Sequence, residues 1–168
     1  MSIAVCPGSF DPITLGHVDV VRRARSMFDE VVVAVAHNSS KNALLPPAER
    51  VRLAVDALGG LDGVRVVTTE GLLVDLVREL GAVAVVKGLR SGADLDAELA
   101  MALMNRHLSG VETVFVVGDP GLAHIASSLV KDVARHGGRI DDMVTPAVAA
   151  AVLRALAPAG GGGGEDGR

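Results

Sequence analysis

Five side chains are typed and placed to handle a phosphate: Ser9, His17, Lys41, Lys87 and Arg90. The first two lie in the run Cys6-Pro7-Gly8-Ser9-Phe10-Asp11-Pro12-Ile13-Thr14-Leu15-Gly16-His17, which follows the apolar Ile3-Ala4-Val5 and precedes an amphipathic stretch. Two prolines, two glycines, a serine and an aspartate in so short a span predict a tight loop with exposed backbone N–H groups. The loop delivers Thr14, Gly16 and His17 to the start of a helix, where orphan donors and partial positive charge favour an anion. No Gly-x-x-x-x-Gly-Lys-Ser/Thr loop is present, and no Gly-x-Gly-x-x-Gly follows a strand. The same residues also suit a plain strand-to-helix turn capped by Thr14, with His17 incidental, so the rest of the chain has to decide.

The elements that must position these groups alternate. Strand signals recur at residues 2–5, 31–35, 64–67, 83–86 and 113–117, mostly as continuous β-branched runs, the pattern of strands buried on both faces of a parallel sheet. Helical spacing fills the intervals. The expected buried faces are Val20/Val21, Ala24 and Met27/Phe28; Val51, Val55 and Leu58; Leu72, Leu76 and Leu80; Leu95, Leu99 and Leu103; and Ile125, Leu129 and Val133. Glycines close several of them, and a last helix from about Pro146 to Leu156 begins with proline at its first turn. The expected fold is therefore α/β: a single doubly wound, five-stranded parallel sheet with right-handed crossovers and a C-terminal helix. One domain spans residues 1–157, and the glycine-rich 158–168 reads as a disordered tail.

Composition narrows the partners. A chain of 168 residues with 49% hydrophobic content can bury a core, built from Val, Leu and Ala because aromatics are only 2% and Trp and Tyr are absent. A net charge of −4 argues against broad nucleic-acid binding while leaving room for a small basic pocket. The single cysteine, Cys6, fits a reducing compartment and reads as a small apolar filler at the end of a buried strand. No run reaches membrane-spanning length, so the expected setting is soluble and cytoplasmic.

In a doubly wound sheet, ligands bind beyond the carboxyl ends of the strands, near the switch in strand order. The polar residues collect there. Ser9 and His17 follow the first strand; His37, Asn38, Ser39, Ser40 and Lys41 the second; Lys87-Gly88-Leu89-Arg90 the fourth; His124, Ser127 and Ser128 the fifth. Gly88 between two cations suggests close backbone approach to a ligand. Ser127-Ser128 suit a helix cap, an arrangement compatible with a phosphate. Asp94, Asp96 and Glu98 read as an acidic first turn, His107 and His136 as structural residues near helix ends, and Met101 and Met104 as core or subunit contact.

From the first strand to about Leu156 the chain resembles the bacterial phosphopantetheine adenylyltransferases, a branch of the nucleotidyltransferases that carry a Thr-x-Gly-His or His-x-Gly-His motif. The resemblance rests on ordered motifs: Pro7-Gly8-Ser9-Phe10-Asp11-Pro12 with Thr14-x-Gly16-His17, Ser40-Lys41, Glu49-Arg50, Lys87-Gly88-Leu89-Arg90, Met104-Asn105-Arg106-His107 and Ser127-Ser128-Leu129-Val130-Lys131. It implies a Rossmann-like fold, a homohexamer, and transfer of AMP from ATP to 4′-phosphopantetheine with Mg²⁺ present and no metal ligands assigned in the chain. It implies that His17 stabilises the transition state, and that ATP is bound by Ser9, Phe10, His17, Gly88, Leu89, Arg90, Glu98 and the segment Leu122, Ala123, His124, Ile125, Ala126, Ser127 and Ser128. Ser9, Lys41, Leu73 and Lys87 are implied to hold the acceptor, and coenzyme A is a further expected ligand through feedback. Departures from the family pattern are Ser9 where Thr is common, Lys87 where Arg is common, Ala126 in place of a serine, and no aromatics near Leu95, Ala97 and Leu122. The alternatives weighed are a nucleotidyltransferase with another phosphorylated acceptor and a non-catalytic nucleotide-binding module.

Overall fold

The structure is a computed structural model that describes residues 1–37 and 42–158. Its strands are β1 (Ile3–Gly8), β2 (Glu30–Ala36), β3 (Val64–Thr69), β4 (Ala84–Leu89) and β5 (Glu112–Val117). Its helices are α1 (Leu15–Arg25), α2 (Pro47–Leu58), α3 (Leu73–Leu80), α4 (Gly92–Ser109), α5 (Ser127–Arg135) and α6 (Pro146–Leu156), with a 3-10 turn at Pro120–Leu122. All strand pairs are parallel, in the order β3-β2-β1-β4-β5. The chain thus runs outward from β1 to β3, returns to β4 beside β1, and continues to β5. The switch in strand order falls between β1 and β4.

Each strand divides its apolar run between two faces, as a period of two requires. Ala4, Cys6, Val31, Val33, Val35, Val86 and Val116 form one core with buried residues of α1, α2, α5 and α6. Val5, Val32, Ala34 and Val85 form a smaller core on the other face with Val77 of α3 and Val111. The continuous hydrophobic runs are thereby explained: both alternating sets are buried.

Several expected helix faces are rotated. In α2 the buried residues are Arg50, Leu53, Ala54 and Leu58, while Val55 is exposed; in α3 they are Val74 and Val77, with Leu72 exposed outside the helix. In α5 they are Val130 and Ala134, with Leu129 exposed and Ile125 buried just before the helix. Met27 lies beyond α1 and is exposed. The largest departure is α4, where Leu95, Leu99 and Leu103 are exposed together with Met101, Met104 and Leu108, and the only buried residue is Asn105. Spacing identifies a stripe but not what covers it. Gly81 and Gly110 end α3 and α4 in left-handed backbone, at φ 60° and 75°, as C-terminal glycines commonly do.

Candidate active site

The site begins where the sheet parts. β1 pairs with β4 only at Ala4–Ala84 and Val5–Val85, whereas β1–β2 pairing continues to Gly8 and β4–β5 pairing to Leu89. Pro7-Gly8, expected in the loop, is therefore strand, and Lys87-Gly88-Leu89, expected after the fourth strand, is its final segment. Pro7 has no N–H to give and sits beyond the point where a β4 partner is present. The diverging tails line a cavity of about 670 Å³, with Cys6, Pro7 and Gly8 on one side and Val86, Lys87, Gly88 and Leu89 on the other.

The loop after β1 is held by its own side chains. Phe10 adopts a left-handed backbone, φ 48°, a conformation that costs a non-glycine residue about 1–2 kcal/mol. Its buried ring packs edge-on to His17, with centroids 5.1 Å apart, and a Cβ on Gly8 would lie 3.1 Å from that ring. Thr14 is the N-cap of α1 in a reciprocal capping box: its hydroxyl accepts the His17 N–H at 3.4 Å, and His17 Nδ1 accepts the Thr14 N–H at 3.0 Å. The capping turn and the functional histidine are thus one device. Because a backbone N–H can only donate, Nδ1 must be the bare nitrogen, and the ring proton lies on Nε2. Desolvation, followed by the charges of Arg90 and Lys87, pushes the His17 pKa down to about 4. At neutral pH His17 is an uncharged, pre-oriented N–H donor.

The cations face the larger cavity with resident acids. Lys87 Nζ lies 3.1 Å from Glu98, and Arg90 donates to Asp94 and, at 3.1 Å, to the Ile125 carbonyl. Asp94 is held below the usual carboxylate range, chiefly by its hydrogen bond from the Arg90 side chain. Gly88, which lines the cavity, also has a steric reason to lack a side chain: a Cβ there would lie 2.6 Å from Val20 Cγ2 of α1. Cys6 is buried, and desolvation pushes its thiol up to about 12, which leaves it inert, as a filler should be.

Ser127 does not cap α5. Ala126 occupies the N-cap without a side-chain acceptor, and the Ser127 hydroxyl donates to the Pro12 carbonyl at 2.8 Å. That bond ties α5 to the first loop and leaves first-turn N–H groups facing the cavity wall formed by Ala126, Ser127 and Ser128. A smaller cavity of about 280 Å³ adjoins, lined by Ser9, Asp11, Asn42, Ala43, Arg50 and Lys131. Phe10, His17 and Ser127 line both.

Of the expected site residues, Phe10, His17, Lys87, Gly88, Leu89, Arg90, Glu98, Leu122, Ala123, Ile125, Ala126, Ser127 and Ser128 line the larger cavity, and Ser9 the smaller. His124 is exposed and lines neither; Leu73, at the start of α3, packs on the smaller core and also lines neither. Lys41, with Asn38, Ser39 and Ser40, lies outside the described residues. His37 is on the rim and pairs with Glu70 at 3.0 Å.

Three buried charges received no role from sequence reasoning. Asp11 accepts the N–H groups of Leu44 and Leu45 and an ion pair from Lys131. Arg50 donates to the carbonyls of Leu45, Ser9 and Ala36. Asp19 accepts the Asp119 N–H at 2.9 Å and fixes the turn after β5. The available signal was a charge at a core position of a helical pattern: Arg50 lies three and four residues before Leu53 and Ala54 on the same face.

An uncapped helix terminus, two cations and a neutral histidine donor surround a cavity at the switch point of a doubly wound sheet, an arrangement suited to an anion. Residues 5–133 match the cytidylyltransferase-like family. The phosphopantetheine adenylyltransferase of Bifidobacterium longum is 50% identical over 159 residues, 94% of this chain and 96% of that protein. The enzymes of the same name from Nocardioides sp. and Kocuria rhizophila are 51% and 52% identical, over 88% and 93% of this chain and 93% and 98% of their own lengths. In fold, the chain is similar to a Vibrio parahaemolyticus protein assigned as a nicotinate-nucleotide adenylyltransferase, at TM-score 0.66 and 23% identity over 93% of this chain and 95% of that one. The chain belongs to the cytidylyltransferase-like family and, within it, to the phosphopantetheine adenylyltransferases.

Proposed function

We propose that this chain transfers the adenylyl group of ATP to 4′-phosphopantetheine, forming dephospho-coenzyme A and pyrophosphate. The relatives' shared name supplies the acceptor. The observation that carries the reaction is that His17, Phe10 and Ser127 form a common wall between two adjoining cavities, the larger suited to ATP and the smaller to the acceptor phosphate. An oxygen of the acceptor phosphate attacks the α-phosphorus, and the bond from that phosphorus to the oxygen bridging to the β-phosphate breaks. Pyrophosphate leaves with the electron pair. The nucleophile is already ionised, so no general base is needed; the work is alignment and charge stabilisation.

His17 donates its Nε2–H to the α-phosphoryl oxygen as charge develops. The N-terminus of α5 and Arg90 hold the departing pyrophosphate, while Lys87 is drawn from Glu98 towards the phosphate, with Lys41 completing the acceptor side. Among the described residues no three His, Cys, Asp or Glu side chains converge on a cation site. Asp94 and Glu98 are engaged by Arg90 and Lys87. The described donors therefore do not suit a resident metal, and this supports the reading that Mg²⁺ comes with the ATP phosphates as part of the co-substrate.

Copies associate through the exposed apolar face of α4, towards the hexamer that the resemblance implies, and coenzyme A competes for the acceptor space as a product-like ligand. No helix among the described residues is long and apolar enough to cross a membrane, and the buried Cys6 suits a cytoplasmic setting.

The deciding experiment measures pyrophosphate release with ATP and Mg²⁺, with and without 4′-phosphopantetheine. Acceptor-dependent release, with dephospho-coenzyme A appearing in step, is expected; release indifferent to the acceptor refutes the assignment. His17→Ala should lower turnover by about 10²-fold or more while ATP affinity changes much less. Unchanged turnover in that variant removes His17 from the mechanism.

A further inference from the structure

Asp11 is buried, yet each of its oxygens has partners. Oδ1 accepts the Leu45 N–H at 2.8 Å, and Oδ2 accepts the Leu44 N–H at 2.9 Å and Lys131 Nζ at 2.8 Å. Those contacts come from separate parts of the chain. Asp11 itself lies in the loop that carries Phe10 and leads into α1, the helix of His17. Leu44 and Leu45 belong to the segment that follows residue 41, beside Asn42 and Ala43 of the smaller cavity. Lys131 is in α5, the helix whose N-terminus forms a wall of the larger cavity.

Four further hydrogen bonds, from two side chains, run parallel to this junction. The Arg50 guanidinium gathers the carbonyls of Ser9, Ala36 and Leu45, and the Ser127 hydroxyl holds that of Pro12. Burial works to raise the Asp11 pKa. The Lys131 hydrogen bond and the two backbone donors outweigh it, and the carboxyl is held below its ordinary range. A charged carboxylate with fixed partners is a stiff joint, since its bonds are charge-assisted and screened little by solvent.

This joint runs along the smaller cavity, whose lining takes Ser9 and Asp11 from the first loop, Asn42 and Ala43 from the segment before Leu44, and Lys131 from α5. We propose that Asp11 is a positioning residue: through Leu44, Leu45 and Lys131 it holds the acceptor-side segment and α5 at a set distance from His17, so that acceptor and ATP meet in line. This rests on the reaction proposed above. In-line transfer is sensitive to such placement, and a displacement of about 1 Å can cost about 10²-fold in rate.

The test compares kcat, both KM values and melting temperature for the wild type, Asp11→Asn, Lys131→Gln, Lys131→Arg and the double variant Asp11→Asn/Lys131→Gln. Asp11→Asn should raise both KM values at least about fivefold and lower kcat about tenfold; Lys131→Gln should act mainly on the KM for ATP. Lys131→Arg, which keeps the pair, should stay within about twofold of wild type. The double variant should be no worse than the poorer single one, because the two residues act as a unit. A lowered melting temperature with both KM values unchanged makes Asp11 a scaffold residue only and overturns the proposal, as do multiplicative losses in the double variant. If Asp11→Asn does not fold, the Lys131 pair decides, and wild-type KM values in Lys131→Gln overturn it. A wild-type protein without acceptor-dependent pyrophosphate release counts against the proposed reaction instead. In that case the calorimetric Kd for ATP still reads the α5 limb, and equal values in wild type and Lys131→Gln overturn the positioning role.

Discussion

Acidification should reveal His17 as a group that resists charging. Its pKa is lowered from the ordinary 6.5 to about 4, first by desolvation and then by Arg90 and Lys87. At about 1.4 kcal/mol per unit, and allowing for the ring's partial contact with the cavity, the neutral form is favoured by about 2–3 kcal/mol. Protonation would also put a hydrogen on Nδ1, opposite the Thr14 N–H that it now accepts at 3.0 Å, and break the capping box. Because the folded pKa is depressed, the unfolded chain binds the extra proton first. Stability should therefore fall as pH drops below about 6.5, and the whole contribution should be gone below about 4. The assay is long-range ¹H–¹⁵N NMR of the imidazole, which reports tautomer and titration together. We expect the Nε2–H tautomer at pH 7 and a midpoint near 4, moving upward when pyrophosphate is bound because an anion favours the charged ring. A midpoint at or above 6 in the free protein, or an Nδ1–H tautomer, refutes the reasoning.

Two other perturbations test the packing around the site. Gly88→Ala should destabilise by about 1–3 kcal/mol in urea unfolding, because its Cβ meets Val20 Cγ2 at 2.6 Å, and Val20→Ala should restore much of that loss; additive losses would show that the clash is not the cause. Leu99 and Leu103 on α4 are 45% and 50% exposed, and replacing both with Lys should leave the chain folded but lower its mass by light scattering if that face joins copies. An unchanged mass places the association elsewhere.

The alternation of elements was legible because five β-branched runs separated by helical spacing admit few topologies. The rim carrying His17, Lys87 and Arg90 followed from where such sheets bind ligands. Helix rotation was less legible. In α2 the pattern offered Val51 and Val55, but Arg50 takes the buried face because three carbonyls receive its guanidinium, a tertiary fact that periodicity cannot encode. Gly88 stands out in the sequence between two cations, but the steric need for it, Val20, lies on an element distant in sequence. Ser127-Ser128 had the composition of a cap, yet the helix begins one residue earlier and the hydroxyl crosses to Pro12. Asp11 was visible as a motif member, but its role depends on Leu44, Leu45 and Lys131, which come from 33 to 120 positions away.

The short seam between β1 and β4 has a mechanical consequence. It divides the sheet into unequal leaves, β3-β2-β1 and β4-β5, joined at one end by the pairs Ala4–Ala84 and Val5–Val85 and open at the other. A nucleotide seated in the opening, as proposed above, would touch both leaves where no ladder connects them and would act as a removable member of the framework, bracing the end that the backbone leaves unbraced. Loading and discharge would then alternate between a sheet open along this seam and one bridged by its cargo.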